Sequence, residues 1–92
     1  MGDENYTLVF SGRFEHTLRR LRKKNPDLAR ALVSHFPKLE REPALGKPLR
    51  HSLRIFRRLQ IEGSFVLLYE VRDFDVHLID FDHHDRIYKK YS

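Results

Sequence analysis

The last stretch of the chain, DFDHHDRIYKKYS, gathers side chains that move protons and hold anions. Asp80, Asp82, His83, His84, Asp85, Arg86, Tyr88 and Tyr91 fall within twelve positions. Imidazole titrates near neutral pH, so His83 or His84 can act as base or acid at a reacting phosphate. Arg57, Arg58 and Arg86 carry guanidinium forks that match a phosphate bidentately. Tyr88 can orient a nucleophile or stack on a base. The acids and histidines are also conceivable metal ligands. Neighbouring histidines at a strand end point different ways, however, and the chain has no H-x3-H or HExxH spacing, so no metal is expected.

These groups follow a strand end, a common place for functional side chains on a rigid scaffold. Tyr6 to Phe10 reads as a short strand. Ser11 or Gly12 opens a helix in which Phe14, Leu18 and Leu21 recur at helical spacing. Asn25-Pro26 ends that helix and starts the next, with Asn25 as N-cap and Pro26 in the first turn. Leu28, Leu32, Phe36 and Leu39 form the second apolar stripe, which Pro37 should kink or shorten. Helices joined this tightly form an antiparallel hairpin. Pro43 to Pro48 reads as a loop.

From Leu53 the period becomes two. Leu53, Ile55, Leu59 and Ile61 share one face, and Arg54, Phe56, Arg58 and Gln60 the other. Arg57 falls on the mostly apolar face, its stem packed and its head reaching an edge. Glu62-Gly63 turns into a strand from Ser64 to Arg72, and Asp73-Phe74-Asp75 turns into another from Val76 to Phe81. The expected fold is α+β: an N-terminal strand, an antiparallel helical hairpin, and a three-stranded antiparallel meander forming one sheet with the first strand. The hairpin packs on a sheet face.

Ninety-two residues fit one domain, 1–92. With 40% hydrophobic and 34% charged residues the composition is that of a globular chain. The absence of cysteine excludes disulfide scaffolds, cysteine–zinc ribbons and thiol nucleophiles. The longest apolar run is Phe65 to Tyr69, far short of a membrane span, and no signal peptide is visible. A cytoplasmic location without membrane contact is the expectation.

Charge is unevenly placed. Arg13 to Arg58 holds fourteen basic and four acidic residues, while the rest holds four basic and nine acidic. Such a basic block suits an anionic partner, with nucleic acid the first candidate. Arg19, Arg20, Arg22, Lys23 and Lys24 read as the solvated face of a helix. Arg50, Arg54, Arg57 and Arg58, beside or within a strand, read as contacts to the anion.

Three stretches in order carry a family likeness. "GKPLRHSLRIFRRLQI", "GSFVLLYEV" and "HHDRIY" resemble the loop and first meander strand, the second strand and the closing motif of the RelE/ParE superfamily of toxins from type II toxin–antitoxin pairs. The resemblance runs from about Tyr6 to Tyr88. It implies a toxin that cleaves messenger RNA on the ribosome, needs no cofactor, and is neutralised by a cognate antitoxin wrapping the basic face. ParE-type members share the fold but bind DNA gyrase and are not nucleases, and a catalytically inactive RNA-binding relative is a further alternative.

Within that likeness Arg57 and Arg58 occupy the strand that supplies basic residues, His84 falls where relatives place a catalytic His or Arg, and Tyr88 matches the terminal Tyr. The chain departs at Val66 and Gln60, where cations are frequent. Metal-independent RNA cleavage needs a base for the 2′-OH, an acid for the leaving 5′-oxygen, and cations on the phosphorane oxygens. The catalytic set is therefore His84 as main proton-transfer group, with His83, Arg58, Arg86 and Tyr88. Arg50, Arg54 and Arg57 are the expected RNA contacts. His83 reads equally as a loop residue orienting its neighbour, and Tyr88 equally as a core anchor. Lys89, Lys90 and Tyr91 read as solvated tail. His16, His35, His51 and His77 are assigned no role.

Overall fold

The computed structural model describes residues 5–49 and 56–91. Strand β1 (Thr7–Phe10) leads into α1 (Gly12–Lys24), α2 (Pro26–Val33) and α3 (Phe36–Arg41). A single 3-10 turn, Pro43–Leu45, precedes the two-residue strand β2 (Lys47–Pro48). Strands β3 (Phe56–Ile61), β4 (Phe65–Arg72) and β5 (Asp75–His83) form the meander, and α4 (His84–Lys90) closes the chain. One five-stranded sheet results, in the order β1-β5-β4-β3-β2. The expected first strand joins it by parallel pairing with β5, Thr7 opposite Asp75 and Phe10 opposite Leu78.

Local chemistry sets the helix limits. Ser11 Oγ accepts from the Phe14 N–H at 3.0 Å and donates to the Ile79 carbonyl at 3.0 Å, so one hydroxyl caps α1 and ties it to β5. Asn25 Oδ1 accepts from the Leu28 N–H while its own N–H bonds Leu21 O, closing α1 and opening α2. The second apolar stripe is divided. Helix α2 ends at Val33, and Pro37 sits in the first turn of α3, where a missing N–H costs nothing.

Phe14, Leu18, Leu28, Ala29, Leu32 and Leu39 from the helices meet Ile61, Leu67, Tyr69, Val76, Leu78 and Phe81 from the sheet in one buried cluster. Strand β5 does not alternate strictly. Leu68 pairs with Asp80 but Tyr69 pairs with Leu78, so Ile79 is an extra residue in a bulge. The bulge lets Leu78 and Phe81 face the same core although they are an odd number of residues apart. It also turns Asp80 and Asp82 to the opposite face, beside Leu68 and Val66.

That opposite face is covered too. The sequence reading ends the last strand at Phe81 and leaves an irregular tail. In the structure β5 continues to His83 and the tail folds into α4, which packs on β4 and β5. Val66, Leu68 and Ile87 are buried outside the main cluster, forming a thin apolar layer beneath α4. The expected Pro43–Pro48 loop likewise contains a helical turn and the short strand β2, which pairs with β3.

Candidate functional site

The α4 helix sorts its side chains into three stripes by the four-residue repeat. Ile87, fully buried, and Tyr91 turn inward, where Tyr91 meets the Phe56 ring edge-on at 6.3 Å. Arg86 and Lys90 lie toward Asp82 and Asp80. His84 and Tyr88 lie one turn apart, their ring centroids 6.4 Å from each other and Tyr88 exposed. Ile87 thus takes the packing role, and Tyr88 is left at the surface beside His84.

His83 starts the helix. Its Nδ1 accepts from the Asp85 N–H at 3.3 Å, which places the ring proton of that tautomer on Nε2. The His84 N–H bonds the Ser64 carbonyl at 2.9 Å, fixing the strand-to-helix junction to the β3–β4 turn. That turn passes through left-handed backbone at Glu62 (φ 54°) and Gly63 (φ 79°). The two imidazoles stack 4.6 Å apart at 27°, and His83 meets the Phe65 ring at 5.8 Å. Asp85 Oδ1 lies 3.0 Å from His84 Nδ1. This contact is an ion-pair approach between exposed neighbours rather than a hydrogen bond, and among the described residues no hydrogen bond or ion pair engages His84 Nε2. An imidazole with one open nitrogen can accept or deliver a proton.

Metal-ligating atoms of His83, His84 and Asp85 lie within 4.8 Å of one another. They do not make a good cage. The two rings stack rather than pointing different ways as the sequence suggested, but the His83 Nδ1 already accepts a backbone N–H and Asp85 is exposed.

Below the histidines the carboxylates form a clasp. Asp80 is 1% exposed, and its Oδ2 receives Lys90 Nζ and the Tyr91 hydroxyl, each at 3.0 Å, with Arg13 of α1 at 3.8 Å. Asp82 takes Lys90 at 3.1 Å and Arg86 at 3.4 Å. Burial opposes ionisation of Asp82, but the His83 N–H and Lys90 outweigh it and hold this carboxyl below its ordinary range. Burial likewise opposes the Lys90 charge, yet Asp80 and Asp82 hold the ammonium above the usual lysine range. Burial and then Asp80 push the Tyr91 phenol up. Lys90 and Tyr91, read from sequence as solvated tail, are the ties that dock α4. Nothing periodic links a strand carboxylate to a lysine ten residues on, so pattern alone could not find the pair.

The arginines separate. Arg58 shares its sheet face with Leu68, the face that α4 covers. Arg57 points to the other face and donates to the Gly46 carbonyl at 2.7 Å. Tyr69 completes that corner: its hydroxyl accepts from the Gly46 N–H at 2.7 Å and donates to Pro43 O at 2.8 Å. A Cβ on Gly46 would come within 2.6 Å of Arg58 O, so only glycine fits. Arg57 therefore has its head at the edge, as its place on the apolar face requires. Arg50 and Arg54 lie outside the described residues.

The structure thus brings together His83, His84, Asp85 and Tyr88, while Arg86 turns to Asp82 on another stripe of α4. Arg58 stands apart. Leu68 lies opposite both Arg58 and Asp80, and His83 is three residues beyond Asp80. Strand spacings place the Arg58 and His83 backbones roughly 14 Å apart. Val66 is buried beneath α4, and the Gln60 amide donates to the Gly63 carbonyl, so neither departure leaves a hidden cation substitute at its own position. Among the described residues no helix is long and apolar enough to cross a membrane.

Residues 8–88 match the family described as ParE toxin of type II toxin-antitoxin system, parDE. A Methanocaldococcus jannaschii protein that carries the name toxin RelE4 is 34% identical over 87 residues, covering 92% of this chain and 93% of its own length. The toxin–antitoxin complex RelBE2 of Mycobacterium tuberculosis contains a chain 32% identical, with a TM-score of 0.73 over 88% of this chain and 93% of that one. A chain of the YoeB–YefM complex of Staphylococcus aureus shares the fold at 17% identity and a TM-score of 0.74, over 86% of this chain and 97% of its own.

Proposed function

The chain belongs to the ParE toxin family of type II toxin–antitoxin systems, and from that premise we propose that it is a ribosome-dependent messenger-RNA endoribonuclease whose proton-transfer group is His84. One observation carries the reading: an imidazole with a carboxylate 3.0 Å from Nδ1, a stacked second imidazole, Nε2 open and an exposed tyrosine one turn away. His84 Nε2 takes the proton of the RNA 2′-OH. The 2′-oxygen then bonds the adjacent phosphorus, the bond from phosphorus to the 5′-oxygen breaks, and the imidazolium returns its proton to that oxygen through solvent. The products are a 2′,3′-cyclic phosphate and a 5′-hydroxyl. Arg86, 74% exposed at its side chain, is the proposed cation for the phosphorane and must leave its 3.4 Å contact with Asp82 to reach it, while His83 holds the helix start and stacks behind His84.

Arg58 lies two strands from the histidines, on the face that α4 covers, and stays in the proposed set as a cation whose long side chain extends toward the phosphate. Arg50, Arg54 and Arg57 remain the proposed further RNA contacts, Arg57 through its exposed edge. A cognate antitoxin, proposed from the toxin–antitoxin complex among the relatives, covers the basic surface. Its docking segment should carry acidic groups for Arg54, Arg57 or Arg58.

Val66 and Gln60 favour a second reading, a non-enzymatic toxin that binds DNA gyrase, because two positions where nuclease relatives often place cations are uncharged. Translation in a cell-free system, with message ends mapped by primer extension, separates the two. New cuts that vanish in His84→Ala support the nuclease. Intact messages together with inhibited gyrase supercoiling support the second reading.

A further inference from the structure

An open groove of about 530 Å³ runs between α1 and the junction of β5 with α4. Five cations line it, Arg13, Arg20 and Lys24 from α1 and Arg86 and Lys90 from α4, against only Asp80 and Asp82. Three of the cations are already engaged by these carboxylates. Arg20 and Lys24 form no ion pair among the described residues and are exposed, so their charge faces the groove unspent. They continue the line of Arg13 and Thr17 along one flank of α1, over a length of about 16 Å.

The floor offers one accessible ring, that of half-buried Phe65, backed by Phe81 of the buried core. Phe65 stacks on Phe81 at 5.7 Å and 20°, and the same Phe65 ring touches His83. Arg86, one residue from Asp85, stands at the same end. Through Phe65, whose ring meets His83 at 5.8 Å, the groove borders the histidine pair. A cationic channel with an aromatic plate is the physical recipe for a single strand of nucleic acid: phosphates follow the charges and bases stack on the rings.

We infer that this groove is a tracking site for single-stranded RNA, in which Arg20 and Lys24 hold phosphates upstream or downstream of the one at His84. The inference deepens the nuclease reading and rests on it for the strand's identity. An acidic protein segment would match the charge but would have no use for the stacked rings or for continuity with the histidines.

The test measures binding of a fluorescein-labelled 2′-O-methyl oligouridylate by anisotropy over a range of salt. This probe lacks the attacking hydroxyl, so binding is read without cleavage. Removing two phosphate contacts in Arg20→Gln/Lys24→Gln should make the slope of log K against log salt shallower by about 1.4, with affinity roughly ten- to thirtyfold lower near 0.1 M salt. Arg19→Gln/Lys23→Gln makes the same charge change on the other flank of α1, where both residues line a separate hollow, and should stay within about twofold of the parent. Equal losses in both variants, no loss in either, or no binding by the parent would overturn the inference. So would a decaglutamate peptide whose binding, rather than the oligouridylate's, depends on Arg20 and Lys24. A parent that binds through the groove yet cuts no message would sink the nuclease reading and leave the groove standing.

Discussion

Lys90 Nζ lies 3.0 Å from Asp80 Oδ2 at the point where α4 crosses β5, with Asp82 Oδ2 at 3.1 Å. Asp80 is buried, and that ammonium and the Tyr91 hydroxyl both bond its Oδ2. A buried carboxylate that loses a partner retains the desolvation cost without the compensating bond. Lys90→Met should therefore lower the unfolding free energy by about 1–3 kcal/mol, read as a shift in the urea midpoint. A midpoint unmoved by the substitution would show that the clasp carries no net stability.

The same clasp sets a pH window for the docking of α4. Asp82 has a folded pKa below its unfolded value, so its contribution is present above the ordinary carboxylate range and is lost as pH falls through the folded pKa. Lys90 and Tyr91 have raised folded pKa values. Their contributions are complete below their ordinary ranges and are lost as pH rises through the folded values. The near-UV dichroism of Tyr91 against Phe56 should hold steady through neutral pH and decline at both acid and strongly alkaline ends. Lys90→Met should blunt both declines.

Tyr69 and Gly46 should prove unforgiving. Tyr69→Phe removes the acceptor of the buried Gly46 N–H and the donor to Pro43 O, and should cost about 1–3 kcal/mol of stability. Gly46→Ala places a methyl against the Arg58 carbonyl and the Tyr69 hydroxyl and should destabilise at least as much. Thermal melts of the two variants check this, and an alanine variant as stable as the parent would contradict the packing.

His83 and His84 should differ in kind. Aspartate is a good N-cap, so His83→Asp keeps an acceptor for the α4 start while deleting the imidazole. Message cleavage should survive it within about tenfold, since a full proton-transfer group is worth on the order of 10²–10⁴. A loss as deep as that of His84→Ala would assign the proton transfer to the stacked pair as a unit.

What was legible in the sequence is what local chemistry decides. Ser11, Asn25 and Pro26 mark helix ends because a cap needs only its own next turn. The strands of the meander show their period, and Arg57 among apolar neighbours already implies a stem packed and a head at the edge. The bulge at Ile79 was not legible, because it appears only when β4 and β5 are paired. Without it Val76, Leu78, Asp80 and Asp82 alternate onto one face, which hides the clasp. Helix α4 was missed because seven residues give too little periodicity, and its partners lie on the sheet. The cluster around His84 was visible as composition and the division of Arg57 from Arg58 as strand period, whereas the stacking of His83 on His84 and the turn of Arg86 toward Asp82 required the fold.

The most direct test of the central claim is single-turnover cleavage of a ribosome-bound message by the parent and by His84→Ala, with RNA affinity measured alongside. The account predicts a loss of about 10²–10⁴ in the cleavage rate with affinity unchanged. Equal rates in the two proteins, or a parent that leaves every message intact, would contradict it.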